Sequence, residues 1–442
     1  MPKFLHAADL HVDSPLIGLD AYEGAPVDRL RSATRQALEN LVQKAIDEKV
    51  VGVIIAGDIF DTNPRVSSLL FFRKQLQRLA DAHIRVALVH GNHDHEQAST
   101  PNVDMPPGVH YFPSLHDQPD EVAQPFELAK GLFVHGRSYG IRDVKEDLVD
   151  RYSAAIAGAF NIGLLHTALD GEDDGHALYA PTSLTKLRGF QYQYWALGHV
   201  HQRKEWLKDG APVVFPGNLQ GRHARETGAK GAVIVEYEGN SIKGDPRHVP
   251  LDDVRWFHVH VDAATLPGKN PCADVWNQIK SATAEARGSG RLCAIRVTIE
   301  GAAQGEMGRL SALAVREYLQ GVFGDLADAL WLEKVIVSTS VEPGSEAVFM
   351  SDLRTLAAEL AKDDKARDEL DGIFRNLKTE LTKKGGREVE TAATRPKPTK
   401  SSETDHQARS QTGFLPADKT SPEEATLAIA DALASMRMAD SP

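Results

Sequence analysis

The chain has 442 residues, 42% hydrophobic and 25% charged, with a formal net charge of −12. That composition fits a soluble globular protein of two or three domains, and no run approaches the roughly 18 apolar residues of a membrane span. The acidic balance argues against a free-standing nucleic-acid binder, although a carboxylate site filled by divalent cations attracts phosphate despite a negative sum.

The chain opens MPKFLHAADLH, with polar residues able to act from His6 onward. A cleaved signal peptide would remove this first strand, so a cytoplasmic protein is expected. KFLHAAD (3–9) reads as an apolar strand ending in polar residues. Residues 28–48 space Leu30, Ala33, Ala37, Leu41, Ala45 and Ile46 for a helix. VVGVIIAGD (50–58) is the β-branched run of a strand buried on both faces; a helix over 66–82 and the strand IRVALVHGN (84–92) follow. This βαβαβ rhythm predicts a largely parallel sheet covered by helices. Strands are expected at 131–136, 160–167, 194–201, 211–217 and 232–237, giving two strand layers in an α/β sandwich.

Near residue 250 the rhythm changes. WFHVHVD (256–262), a helix over 273–286, LCAIRVTIEG (292–301), a helix over 310–330 and LEKVIVSTSV (332–341) predict a small α+β unit. Cys272 and Cys293 are too few for a disulfide framework and read as buried thiols. An amphipathic helix is expected over 351–381, a disordered Lys/Thr/Ser/Pro-rich linker over 382–421, and a terminal helix over 421–436 capped by Ser421.

The chemistry gathers at strand ends. Asp9 and His11 follow the first strand as D-x-H, Gly57-Asp58 ends the second, and Gly91-Asn92-His93-Asp94 ends the third. His166 ends FNIGLLH, and Gly198-His199-Val200-His201 ends YWALGH. In an open α/β sheet the carboxyl ends of strands line the ligand crevice. Each fragment alone has an ordinary reading: a chance D-x-H, a helix-capping Asp58, a core His166, an Asn92 turn. Five such fragments in order at five strand ends are not explained that way.

The ordered set resembles the calcineurin-like metallophosphoesterase superfamily over roughly residues 1–240. The resemblance implies a β-sandwich flanked by helices in four layers (αββα). It also implies two divalent ions, one held by Asp9, His11, Asp58 and His201, the other by Asp58, Asn92, His166 and His199, with Asp58 shared. Imidazole and carboxylate ligands without thiolate suit Mn²⁺, Fe²⁺ or Zn²⁺ better than Ca²⁺, and two Mn²⁺ ions are expected. A metal-activated water would attack phosphorus in line, and His93 would face the substrate phosphate. Asp61 would orient His93 or support the ligands, and Asp94 would support the loop. His6, His90, His95 and His135 read as structural or exposed. The loop following Pro216-Gly217-Asn218 carries Arg222, His223 and Arg225, readable either as a phosphate clamp or as a solvated basic loop.

Within the superfamily, HAADLHVDSPL, GDIFD (57–61) and PGNLQGR (216–222) resemble the SbcD-type DNA repair exonuclease branch. That branch implies a phosphoesterase domain over 1–250, a capping domain over 251–345, and a partner-binding tail over 346–442. DNA and an SbcC-like coiled-coil ABC-type ATPase, bound through the C-terminal helices, would be the partners. The branch often dimerises through helices flanking the GNHD loop; here EQASTPNVDMPPG is short and proline-rich, which argues against a homodimer. The alternative function is a small-molecule phosphatase or cyclic-nucleotide phosphodiesterase, with the α+β unit as a substrate lid.

Overall fold

Alternation along the first strands sets the layering. In the computed structural model, β1 (Lys3–Ala7) turns Phe4 and His6 to one side and Leu5 and Ala7 to the other. α1 (Val27–Asp47) leads to β2 (Gly52–Ala56), and α2 (Val66–Asp81) leads to β3 (Arg85–Val89). β4 (Val109–Tyr111), β5 (Phe126–Ala129), β6 (Leu132–Gly136) and β7 (Phe160–His166) follow, then α3 (Leu184–Gly189) and β8 (Tyr194–Gly198). β9 (Lys204–Trp206), β10 (Val213–Phe215), β11 (Gly231–Glu238), β12 (Ser241–Ile242) and β13 (Arg247–Pro250) complete the strands before residue 250. The described residues are 1–341 without 15–23, 62–63, 98–102, 115–121, 171–178, 267–269, 304–309 and 327.

One sheet runs β12-β11-β1-β2-β3-β4, with β13 also on β11; the other runs β5-β6-β7-β8-β10-β9. β1 through β4 are parallel, and β11 joins β1 antiparallel. Phe4, Ile54, Ala87 and Val233 meet Val134, Ile162, Leu164 and Tyr194 in a core between the sheets. On the outer side, Leu5, Val53, Ile55 and Leu88 pack beneath Leu38, Leu41, Leu69, Phe72 and Leu76 of the two helices. Those helical positions recur every three or four residues, so each helix lays one apolar stripe on the sheet. The expected sandwich flanked by helices is what forms. Its fourth layer is thin: α3 has six residues, and Tyr139, Tyr152 and Val149 of the 3-10 turn Leu148–Arg151 share with Leu187 of α3 the packing around Trp195 and Leu197. Emptying the Trp195 site with alanine would cost about 3–5 kcal/mol.

β14 (Val254–Asp262), α4 (Pro271–Gly288), β15 (Leu292–Ala303), α5 (Ala312–Phe323) and β16 (Leu330–Val341) build a three-stranded sheet in the order β14-β15-β16. β14 and β15 are parallel, so α4 is a crossover helix and this pair is a βαβ unit. Asn270 caps α4 through the N–H of Ala273, and Pro271 occupies its first turn. Residues 1–301 and 306–339 form one compact unit. The second unit, 302–305 with 340–442, lies almost wholly outside the described residues. The expected helices over 351–381 and 421–436 and the linker between them fall there too. Among the described residues no helix is long and apolar enough to cross a membrane.

Candidate metal centre

Four of the expected ligands have backbones that ordinary residues avoid. Asp9 (φ 51°), His11 (φ 43°), Asp58 (φ 50°) and His199 (φ 108°) all lie at positive φ. Such residues cost about 1–3 kcal/mol each and persist where neighbouring structure over-determines them. Here the loops bind one another. Asp9 N–H donates to Gly57 O at 3.1 Å, His11 N–H to Asp58 O at 3.0 Å, and Asn218 N–H to His201 O at 3.2 Å. Gly91 is also fixed by space, since a methyl group there would lie 2.2 Å from Asp58 Oδ1.

Three groups of side chains converge at this edge: Asp9, His11 and His201; Asp9, Asp58 and His166; and His11, Asp61 and His93, the donor atoms of each group lying within 4.8 Å of one another. Asp9 is common to two of these groups, and Asp58 Oδ2 stands 3.6 Å from His166 Nε2 of its own group and 3.8 Å from His11 Nε2 of the other. Asn92 Oδ1 lies 3.0 Å from His166 Nε2. The His199 ring sits edge-on to His166 at 5.2 Å, and its backbone N–H donates to both Asp9 oxygens at 3.1 Å.

Three of the histidines have an outward ring nitrogen engaged. His166 Nδ1 donates to Ala56 O at 2.9 Å, His11 Nδ1 to Asp61 Oδ1 at 2.7 Å, and His201 Nδ1 to Glu226 Oε1 at 2.7 Å. Each bond leaves an Nε2 lone pair facing inward, the tautomer a metal requires. Burial holds His11 near pKa 3, helped by the Arg222 charge, and holds His166 near 4, so both stay neutral. His11 Nε2 and His201 Nε2 face each other at 3.2 Å. Ligand atoms around a divalent ion at ~2.1 Å are separated by roughly that distance.

Burial and the Asp58 charge push Asp9 well above the usual carboxylate range. Burial raises Asp58 to about 7, with Asp94 adding to it and His93 opposing. Two dry, mutually repelling carboxylates beside inward-facing acceptors are a donor set for a divalent cation. The residues present therefore fit a dinuclear centre for divalent cations, with candidate ligands on both sides of Asp9 and Asp58.

Around it stand residues of other kinds. His93 is a third exposed; its N–H donates to Asp58 Oδ1 at 3.0 Å, and its Nδ1 is 3.4 Å from Asp61 Oδ1. The shortest Asp61 contact is with His11, so Asp61 serves the ligand side first and His93 second. Burial would raise Asp61, yet the His11 bond holds it well below the ordinary carboxylate range, with Ser14 and Arg222 assisting. Asp94 accepts from the N–H groups of Gly91 and Ile59, both at 2.8 Å, which fixes the GNHD loop. His6 bonds Tyr194 and Leu197 O, and His135 bonds Ser153 and Asn161, both as internal ties.

Of the basic loop, Arg222 reaches the site wall, 3.8 Å from Asp61 and 3.2 Å from Glu226. His223 is exposed above Glu226 at 3.7 Å; Arg225 is exposed, and its backbone N–H donates to His223 Nδ1 at 3.2 Å. One residue that the sequence did not point to is Glu226. Burial opposes its ionisation, but the His201 bond and the Arg222 charge hold it far below the usual range. Its one sequence signal is the i,i+4 spacing to Arg222. Tyr139, whose hydroxyl donates to His166 O at 2.8 Å, was also missed.

The calcineurin-like phosphoesterase family matches residues 2–203. The metallophosphoesterase YhaO of Bacillus subtilis is 32% identical over 301 residues, 68% of this chain and 72% of that protein. The DNA double-strand break repair protein Mre11 of Aeropyrum pernix is 27% identical over 54% of this chain and 59% of its own length. That of Sulfurisphaera tokodaii is 25% identical over 54% and 60%. The chain thus spans about three-fifths of these two repair proteins.

Proposed function

The chain belongs to the calcineurin-like metallophosphoesterases, a family of hydrolases, and from that premise we propose that it is a manganese-dependent DNA phosphodiesterase. The observation that carries the reading is the shared Asp58 carboxylate, standing between the His11–His201 and His166–Asn92 groups. Repair proteins among the relatives support DNA as the substrate class.

In this reading Asp9, His11, Asp58 and His201 hold one ion, and Asp58, Asn92, His166 and His199 hold the other. Bound divalent ions supply phosphoryl polarisation and an activated water. The protein's own groups do the rest. His93, a third exposed at the margin and backed by Asp61, stabilises developing charge or protonates the departing oxygen. Arg222 is the residue of the basic loop suited to meet a phosphate, being planar, permanently charged and on the site wall. The tail over 346–442 binds a coiled-coil ABC-type ATPase, and the cell compartment is the cytoplasm.

The deciding assay uses end-labelled single- and double-stranded DNA with Mn²⁺, beside a cyclic dinucleotide and a phosphomonoester. Manganese-dependent DNA cleavage lost in Asp58→Ala is expected. Robust phosphomonoester or cyclic-dinucleotide turnover with intact DNA would overturn the substrate. For the partner, a chain ending near residue 345 should fail to capture an ATPase that the full chain retains.

A further inference from the structure

The strand β14 grips the site through one loop. Trp256 on that strand is 4% exposed. Its indole Nε1 donates to Gly221 O at 3.0 Å, and its own carbonyl accepts from Gly228 N at 3.1 Å. One residue therefore pins both ends of the segment 221–228. Between those ends lies Glu226, which accepts from His201 Nδ1 at 2.7 Å, Arg222 N at 2.7 Å and Asn218 Nδ2 at 3.0 Å. The fit is close: a methyl group on Gly221 would lie 2.6 Å from Glu226 O and 3.1 Å from Trp256 Cδ1. Gln220, just before the segment, is tied to the same strand, donating to Val254 O at 2.6 Å and accepting from Asp253 N at 2.8 Å. Ala224 shares a buried cluster with Trp256, Leu292, Ala294 and Trp331, so apolar packing backs the hydrogen bonds.

We propose that Trp256 is a positioning residue for the His201–Glu226 pair, making the setting of β14 a determinant of how the inward nitrogen of His201 is aimed. A ligand imidazole is oriented by the acceptor on its other nitrogen, and Glu226 is that acceptor. Glu226 in turn sits on a loop anchored by Trp256 at both ends rather than on a helix or strand of its own. The three-stranded module is thereby part of the ion site it adjoins, through a residue that touches neither ion nor substrate. The inference rests on reading Asp9, His11 and His201 as one metal cluster.

The test compares the full chain with Trp256→Phe, which keeps an apolar ring and removes the indole donor. Mn²⁺ binding is followed by the electron paramagnetic resonance signal of free Mn²⁺, and folding by near-ultraviolet circular dichroism. Losing one hydrogen bond to the loop should weaken one of two Mn²⁺ equivalents by about threefold to tenfold and leave the other unchanged. Glu226→Gln should weaken the same equivalent by about 10–100-fold, and the double variant should bind no more weakly than Glu226→Gln alone. Val275→Ala, which loosens the same module beneath α4, should lower Tm without altering Mn²⁺ binding. Wild-type affinities in Trp256→Phe, additive losses in the double variant, or an equal loss in Val275→Ala each overturn the proposal. A wild-type chain that binds no Mn²⁺ overturns the metal reading itself, which the other outcomes leave standing.

Discussion

The two halves of the site hold their histidines by different means. On one half, His166 is 0% exposed and its Nδ1 donates to a backbone carbonyl, Ala56 O, on β2. On the other, His11 and His201 lean on the carboxylates of Asp61 and Glu226. A carbonyl fixed in a central strand cannot be removed by mutation, and it adds no net charge. A carboxylate makes its imidazole a better electron donor, and one substitution deletes it. In the proposed ligand set the first half is built for permanence and the second for tuning, and Asp58, 3.8 Å from His11 and 3.6 Å from His166, would serve both.

That contrast can be broken most completely at its shared member. Asp58→Ala should abolish both equivalents of bound metal and reduce phosphodiesterase activity by more than about 10⁴-fold, beyond the 10–100-fold expected of an outer partner. Elemental analysis of the purified variant reads this directly, and two retained equivalents would break the claim that Asp58 is shared. His93→Gln comes next, with kcat lower by about 10²–10⁴-fold and metal content unchanged. Metal lost along with rate would make His93 a ligand rather than a group facing substrate. Asp61→Asn and Glu226→Gln should each weaken binding about 10–100-fold on the carboxylate-held half alone. Equal weakening of both equivalents would mean that the halves are not separable.

How much of this was legible depended on where the signal lay. Asp9, Asp58, Asn92 and His166 follow apolar strands, so period and polarity together pointed to one edge, and they meet there. The sandwich followed from the same runs, because residues such as Ile54 and Ile55 are buried on opposite faces of one sheet. The short strands β4, β5, β9, β12 and β13 were not expected. At two to four residues each, they offer no period to read. Glu226 was illegible for another reason: it lies on an irregular loop, and its role comes from contact with His201, 25 residues away. The Arg222, His223 and Arg225 trio looked equivalent in sequence. Only the path of the chain separates buried-side Arg222 from exposed Arg225.

The smallest expected effect tests the charge balance that both halves share. In the metal-free protein Asp58 titrates near 7, raised first by burial, so it binds a proton that the unfolded chain has already released. A raised carboxylate contributes stability that is full below its ordinary pKa and lost as pH climbs through about 7. The neutral histidines run the other way. His11 near 3 and His166 near 4 contribute stability that is full above ~6.5 and lost as pH falls toward those values. A cation needs both Asp58 and Asp9 ionised, so its affinity should rise by at least about tenfold per pH unit below 7 as their protons leave. Tenfold is ~1.4 kcal/mol, or roughly 2 °C in Tm for a compact unit of this size, at ~2.1 cal/mol/K of unfolding entropy per residue. Melting curves with and without Mn²⁺ at pH 5.5, 6.5 and 7.5 should therefore show a metal-induced gain that grows with pH. A gain equal at all three would mean that no proton leaves Asp58 when the metal enters. The carboxylate between the halves would then be ionised before any ion arrives, and burial would not be what sets its charge.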